Sequence, residues 1–258
     1  YIKIVEEKSM LRKLIKASTE IIEDSYNKQD EVEKVLDSAQ KRIFDIADKK
    51  NSADYEPLST ILERGFIEIE RLFVNKGALT GVPSGFADLD YKTSGFQRGD
   101  MILVAARPSM GKTTFSLNLC ENAALRSGKS VVIFSLEMPR EQLAFKLLCS
   151  QANVDMGRLK TGNLDERDWE NIARAAGPLA SAKIFIDDTA GITVMDMRSK
   201  CRKIKLEHGI DLIMIDYLQL MSGSSGSESR QQEVSEISRS IKALAKEMKC
   251  PVIALSQL

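Results

Sequence analysis

Met101-Ile102-Leu103-Val104-Ala105-Ala106 runs directly into Arg107-Pro108-Ser109-Met110-Gly111-Lys112-Thr113. An apolar stretch of strand length thus meets a loop of turn-forming residues, then a lysine and a hydroxyl. The loop comes close to the phosphate-binding pattern GxxxxGK[ST], with Ala106 where the strict pattern has its first glycine. Backbone N–H groups of such a loop, with a helix N-terminus behind them, aim partial positive charge at phosphate oxygens. Gly111 allows close approach, Lys112 would reach the terminal phosphates, and the Thr113 hydroxyl would ligate magnesium. Ser109 and Thr114 complete the expected nucleotide contacts. Alanine at 106 adds one methyl group and is tolerable where φ stays negative. The rival reading is a chance loop carrying a lysine. Against it stands the placement between a buried strand and a helix closed by Ser127-Gly128, which the mechanism requires.

Outward from this loop the chain alternates. Apolar runs at 130–136, 183–186, 210–215 and 251–255 are separated by helical patterns, one from about Arg140 and one that Thr193 and Asp196 could cap. Strands apolar throughout and spaced by helices predict an α/β fold with a mostly parallel sheet covered on both faces. In such a sheet the carboxyl ends of the strands share one edge, where ligands bind. Here that edge collects polar residues: Glu137 after the second run, Asp187-Asp188 after the third, Asp216 after the fourth, Ser256-Gln257 after the fifth. Asp216 follows Leu212-Ile213-Met214-Ile215 and suits a magnesium-associated acid acting through water. Asp187 or Asp188, after Ile184-Phe185-Ile186, is a rival. Glu137 could polarise an attacking water, or merely cap the next helix. Gln257 could sense the terminal phosphate, or be a surface amide.

Before residue 80 the texture differs. Leu11, Leu14, Ile15, Ile21 and Ile22 lie at helical spacing, and Val32, Val35, Leu36, Ala39, Ile43 and Phe44 repeat the pattern after a polar break. Asp30 is a candidate cap for the second helix. Residues 1–50 therefore predict a helical hairpin with too little core to stand unaided. Residues 51–80 predict a linker, whose helix begins near Pro57, carries Leu58, Ile61, Leu62, Ile69, Leu72 and Phe73, and ends at Lys76-Gly77. That stripe could pack on its own domain or dock on a neighbouring subunit.

Composition narrows the function classes. Lys plus Arg and Asp plus Glu both number 37, so no global basic field announces a nucleic-acid partner, although a local stripe would be averaged away. No apolar run reaches membrane-spanning length, and YIKIVEEKSM lacks the apolar centre of a secretory signal. Four scattered cysteines and one histidine argue against a zinc cluster or disulfide framework and for a reducing cytoplasm. Any metal should be held by oxygen, hence magnesium.

Two segments are candidates for DNA. Arg198, Lys200, Arg202, Lys203 and Lys205 form a basic run on a helix whose Met197, Cys201 and Ile204 face inward; its bland alternative is a solvated face. Ser222–Ser229, SGSSGSES, is expected to be flexible. With the following Arg230 it could couple phosphate state to a grip on DNA. Trp169 is expected to be packed, and His208 to end a helix.

The strings AARPSMGKTTF (105–115), FSLEMP (134–139), IDYLQLM (215–221) and ALSQL (254–258) resemble the ATPase core of bacterial DnaB-type replicative DNA helicases. SGFADLD (84–90) and TSGFQRGD (93–100) are similar to the approach to that core. The resemblance covers essentially the whole chain. It implies a RecA-like P-loop NTPase at 81–258, the end of an N-terminal helical domain at 1–50, and a linker between them. It implies ATP and Mg2+, a homohexameric ring and 5′-to-3′ movement on single-stranded DNA. Primase is implied as a partner through the N-terminal helices, and a helicase loader as a further one. Residue by residue, it assigns Lys112 and Thr113 to phosphate and magnesium, Glu137 as the catalytic base and Asp216 as the magnesium-associated acid, in preference to Asp188. It makes Gln257 a phosphate sensor, and Lys146 falls where the family has a basic residue near the nucleotide. In the family the core continues past the position of Leu258 to a DNA-contacting loop and an arginine finger, so the chain is expected to be a portion of a longer protein that hydrolyses poorly by itself. The alternatives are a recombinase-like or circadian-type RecA-fold ATPase, and a scaffold that holds nucleotide and recruits a partner.

Overall fold

The computed structural model describes residues 2–26, 32–47, 57–74, 79–221 and 230–257. The chain forms two compact units, Tyr1–Ala78 and Leu79–Leu258. In the first, α1 (Ile2–Tyr26) and α2 (Val32–Ala47) pack against each other. Ala17 and Phe44 are buried there, and Arg42 pairs with Asp24 at 2.7 Å and Glu20 at 3.5 Å. Leu11, Ile15, Ile22 and Leu36 stay exposed, as expected of a hairpin without enough core of its own. α3 (Leu58–Val74) leaves Leu58, Ile61, Leu62, Ile69 and Phe73 exposed. The expected cap Asp30 and the stop at Lys76-Gly77 lie outside the described residues.

The second unit is built on five parallel strands in the order β1-β5-β4-β2-β3. They are β1 (Met101–Ala106), β2 (Val131–Ser135), β3 (Ile184–Asp187), β4 (Leu212–Asp216) and β5 (Val252–Gln257). β2 and β4 are buried along their whole length, which is why their sequences are apolar without alternation. Helices α5 (Lys112–Glu121, continuing as a π turn through Arg126), α6 (Arg140–Ala152), α7 (Met156–Thr161), α8 (Glu166–Ser181), α9 (Val194–His208) and α10 (Arg230–Met248) complete the unit, with a short α4 (Ala87–Thr93) before β1. Leu117, Leu119, Ala123, Ile133, Leu143, Met214 and Ile253 belong to the central core.

Several local expectations change. The helical stretch after Arg140 is three helices, because Asn153 (φ 54°) and Gly162 (φ 69°) end α6 and α7 in the left-handed region while Asp155 and Asp165 cap α7 and α8. β5 runs on to Gln257 because its last residues pair with Ala105 and Ala106. Thr193 and Asp196 do form a capping box on α9. Trp169 is 62% exposed, not packed. α8 turns Asp168, Ile172, Ala175 and Leu179 inward, and a step of one residue rotates Trp169 about 100° off that face. His208 ends α9 and stacks on Phe185.

The basic run is largely committed inside the protein. Arg198 and Arg202 share the Glu247 carboxylate of α10, at 3.2 and 2.7 Å. Lys200 pairs with Asp187 and also donates to Thr189, and Lys205 donates to the Met248 carbonyl. These contacts tie α9 to the end of β3 and to α10, so most of the run is engaged in tertiary contacts, while Lys203 stays exposed. The four cysteines are free and buried, and burial raises their thiol pKa values, that of Cys250 to about 12.

Glu121 is also buried, accepting a hydrogen bond from Ser150 Oγ at 2.9 Å. Burial pushes its carboxyl above the ordinary value, against the lowering pull of Ser150 and Arg126. The folded state therefore holds this proton more tightly than the unfolded chain. The resulting stabilisation is complete below the unfolded value and is lost as pH rises through the raised one. Glu121→Gln, which keeps an acceptor for Ser150, should melt at a higher temperature than the parent at pH 7. The gap should close below about pH 4, where the glutamate is protonated in both states. Thermal melts across that range check it; a pH-independent difference would contradict the assignment.

Candidate nucleotide-binding site

The loop between β1 and α5 turns on two residues with positive φ, Ser109 (63°) and Gly111 (83°). A side chain at Gly111 would meet nothing within 4 Å, so it is the left-handed backbone and not crowding that favours glycine there. Ala106 is not among the positive-φ residues, so its methyl group is accommodated. The first hydrogen bond of α5 runs from Phe115 N to the Gly111 carbonyl at 2.9 Å. The amides of residues 112–114 thus have no acceptor within the helix and remain for a ligand.

This loop opens on a cleft of about 330 Å³. Ser109, Gly111, Lys112, Thr113 and Thr114 form one wall; Glu137, Lys146 and Gln257 come from the ends of β2 and β5 and from α6. Two larger cavities, of 540 and 620 Å³, lie beside α5 and α6. The smaller cleft is the candidate because it gathers the lysine, the hydroxyl and a carboxylate in one place.

Asp216 ends β4, only 1% exposed, and its Oδ2 accepts a hydrogen bond from Thr113 Oγ1 at 2.7 Å across 103 residues of sequence. Its Oδ1 is buried with no hydrogen-bond partner among the described residues. Burial raises the Asp216 pKa. The Thr113 bond opposes this, the charge of Glu137 adds to it, and Lys112 and Lys146 pull it down. A buried carboxylate with an unused oxygen beside a hydroxyl fits a hydrated magnesium ion, which takes oxygen ligands and keeps several waters and substrate phosphates. Among the described residues no cluster of three or more acids, histidines or cysteines forms a closed metal cage; magnesium of this kind needs none.

Lys112 Nζ rests 4.8 Å from the centre of the Tyr217 ring. Glu137 is exposed to the cleft. It does not cap α6: Pro139 precedes that helix without a side-chain cap, and the Asp188 carboxylate accepts from the Arg140 N–H at 3.0 Å and pairs with its guanidinium. That pair holds the Asp188 carboxyl below the usual range. Asp187, although burial opposes it, is likewise held low by Lys200 and Thr189. Both rivals of Asp216 are thus engaged elsewhere. Gln257 stands opposite Ala106 in the sheet register, at the mouth of the cleft.

Of the DNA candidates, residues 222–229 lie outside the described set, as does the side chain of Arg230; its backbone opens α10. Three residues at or beside the cleft have no role in the sequence reading. Arg107 lines it, Tyr217 faces Lys112, and Gln219 contacts the end of β5. Only Arg107, a cation inside the phosphate loop, could have been singled out by type.

A five-stranded parallel sheet, a phosphate loop after β1 and a buried acid facing that loop from β4 define a RecA-like P-loop NTPase core. The chain belongs to the DnaB-like helicase family: the model of the DnaB-like helicase C terminal domain matches residues 81–258. It is 51% identical over 259 residues to the replicative DNA helicase DnaC of Bacillus subtilis (strain 168), and 50% identical over 259 residues to the replicative DNA helicase DnaB of Geobacillus stearothermophilus. In both cases 100% of this chain and 57% of the relative are covered. Among solved structures, one of an ATPase domain matches with a TM-score of 0.75 at 36% identity, over 80% of this chain and 72% of that one. A DnaB-like replicative helicase, from work on its interactions with primase, matches with a TM-score of 0.70 at 33% identity, over 99% of this chain and 60% of the other. The chain thus spans little more than half the length of these two curated relatives. The expected family and fold are borne out.

Proposed function

We propose that this chain supplies the ATP-hydrolysing core of a cytoplasmic replicative DNA helicase, a homohexameric ring that moves 5′-to-3′ on single-stranded DNA. The observation that carries the reading is the Thr113–Asp216 hydrogen bond with its spare buried oxygen, set in a cleft that also holds Lys112, Glu137 and Gln257.

In this reading Ser109, Gly111 and Thr114 cradle the phosphates with backbone and hydroxyl groups, and Lys112 leaves the Tyr217 ring to meet the terminal ones. Magnesium, held by Thr113 and through water by Asp216, would neutralise charge developing between the β- and γ-phosphates. Glu137 orients the attacking water and accepts its proton. Gln257 senses the γ-phosphate, and Lys146 stands beside the nucleotide. Arg230 is assigned to DNA.

The domain plan follows: residues 1–50 end an N-terminal helical domain, 51–80 form the linker and 81–258 the ATPase core. The exposed apolar stripe of α3 favours a connector that docks on a neighbouring subunit. The first helices offer a surface for primase, as the relative studied with primase suggests; a loader would be a further partner.

The test uses the full-length protein. Light scattering should find six copies per particle, single-stranded DNA should stimulate ATP turnover, and a forked duplex with a 5′ tail should be unwound. Nucleotide binding with no turnover under any DNA condition would leave a scaffold, and turnover without a ring would point to a recombinase-like ATPase. Either result overturns the proposal.

A further inference from the structure

Gln219 sits in the short helical turn Leu218–Leu220 that follows β4, half-buried, three residues beyond Asp216. Its side chain reaches across to the end of β5. Nε2 donates to Ser256 Oγ at 2.8 Å and to the Gln257 carbonyl at 3.1 Å, and Oε1 accepts from the Gln257 N–H at 3.4 Å. The carboxamide therefore meets both backbone groups of Gln257, as a peptide group of a neighbouring strand would.

The sheet explains why such a clip is useful. β4 pairs with β5 only as far as Ile215 opposite Ala254, whereas β5 continues alongside β1 to Ala106 opposite Gln257. Past Ala254 the β4 side of β5 has left its ladder, and a strand end with an open ladder is prone to fraying. Gln219 restores the pairing from a side chain. Gln257 is thus held on one flank by Ala106, the last residue before the phosphate loop, and on the other by the turn that follows Asp216.

We infer that Gln219 is a positioning residue for hydrolysis: its amide fixes the backbone of Gln257 so that the Gln257 side chain meets the terminal phosphate in register with Lys112 and Asp216. The inference rests on Gln257 being the phosphate sensor. Phosphate binding itself belongs to the loop and Lys112, so losing the clip affects the rate of the bound complex more than nucleotide capture.

The experiment is steady-state ATP hydrolysis by full-length Gln219→Ala, Gln257→Ala and the double variant in the presence of single-stranded DNA. Gln219→Ala should lower kcat by about ten- to a hundredfold, the scale set by small misplacements of a reacting geometry, with KM for ATP within about twofold of the parent. In the Gln257→Ala background the same change should add almost nothing, because both act through one side chain. Ser256→Ala, which removes one contact of the Gln219 amide, should lower kcat in the same direction by less, and serves if Gln219→Ala does not fold. If Gln257→Ala slows turnover while Gln219→Ala does not, or if the two effects multiply fully, the positioning role is overturned and the sensor stands. If Gln257→Ala turns over like the parent, the sensor reading falls and this inference with it.

Discussion

Lys112→Ala should abolish ATP turnover, lowering it by about 10³-fold or more, the loss expected when a preorganised cation on the transferring phosphate is removed from its site. Lys112 is the first residue of α5, where the helix start and the unpaired amides of residues 112–114 already favour negative charge. The lysine adds a full charge on a stem long enough to follow the terminal phosphate. Its described contact is the Tyr217 ring at 4.8 Å; such a contact at a half-buried pair is worth about 1–2 kcal/mol, too little to hold it against a polyphosphate. The variant should therefore fold normally, which separates a chemical defect from a structural one. Phosphate release and circular dichroism, measured together, check both halves. Turnover within tenfold of the parent would show that the loop is not the phosphate site.

Glu137→Gln should keep nucleotide binding while lowering kcat by about 10²–10⁴-fold, the range for removing a positioned general base. The amide matches the carboxylate in shape but cannot take a proton at neutral pH. The structure removes the main confounding effect, because Asp188 and not Glu137 serves the N-terminus of α6. The melting temperature should accordingly match that of the parent. Equilibrium binding of a fluorescent nucleotide beside steady-state turnover gives the split. An unchanged kcat would transfer the base role elsewhere, and weakened binding with an unchanged kcat would make Glu137 a binding residue.

Parts of this site were legible in sequence because they are local. The phosphate loop needs strand, turn and helix in immediate succession, and residues 101–121 supply them in that order. The strands were legible because a sheet covered on both faces demands uninterrupted apolar runs, and β2 and β4 are such runs. The breaks at Asn153 and Gly162 are not legible in the apolar spacing, which continues across a single left-handed residue. The tertiary partners of the basic run after Met197 are illegible for a similar reason. Charge spacing along a helix locates a polar face but does not reveal that Glu247, 45 residues beyond Arg202, waits opposite it.

From sequence alone came the class of the protein: a parallel α/β nucleotide-binding core behind amphipathic helices, with its polar residues gathered along one edge. Its motifs resemble those of the DnaB-like helicase family, to which the chain belongs. Tertiary structure alone decided which of three acids faces Thr113, that Trp169 points outward, and that Gln219 completes the ladder of β5. The physical reason is strand order. Chain neighbours share local patterns, but β4 lies between β5 and β2 only after the sheet assembles, and every contact that distinguishes Asp216 from Asp188 depends on that arrangement.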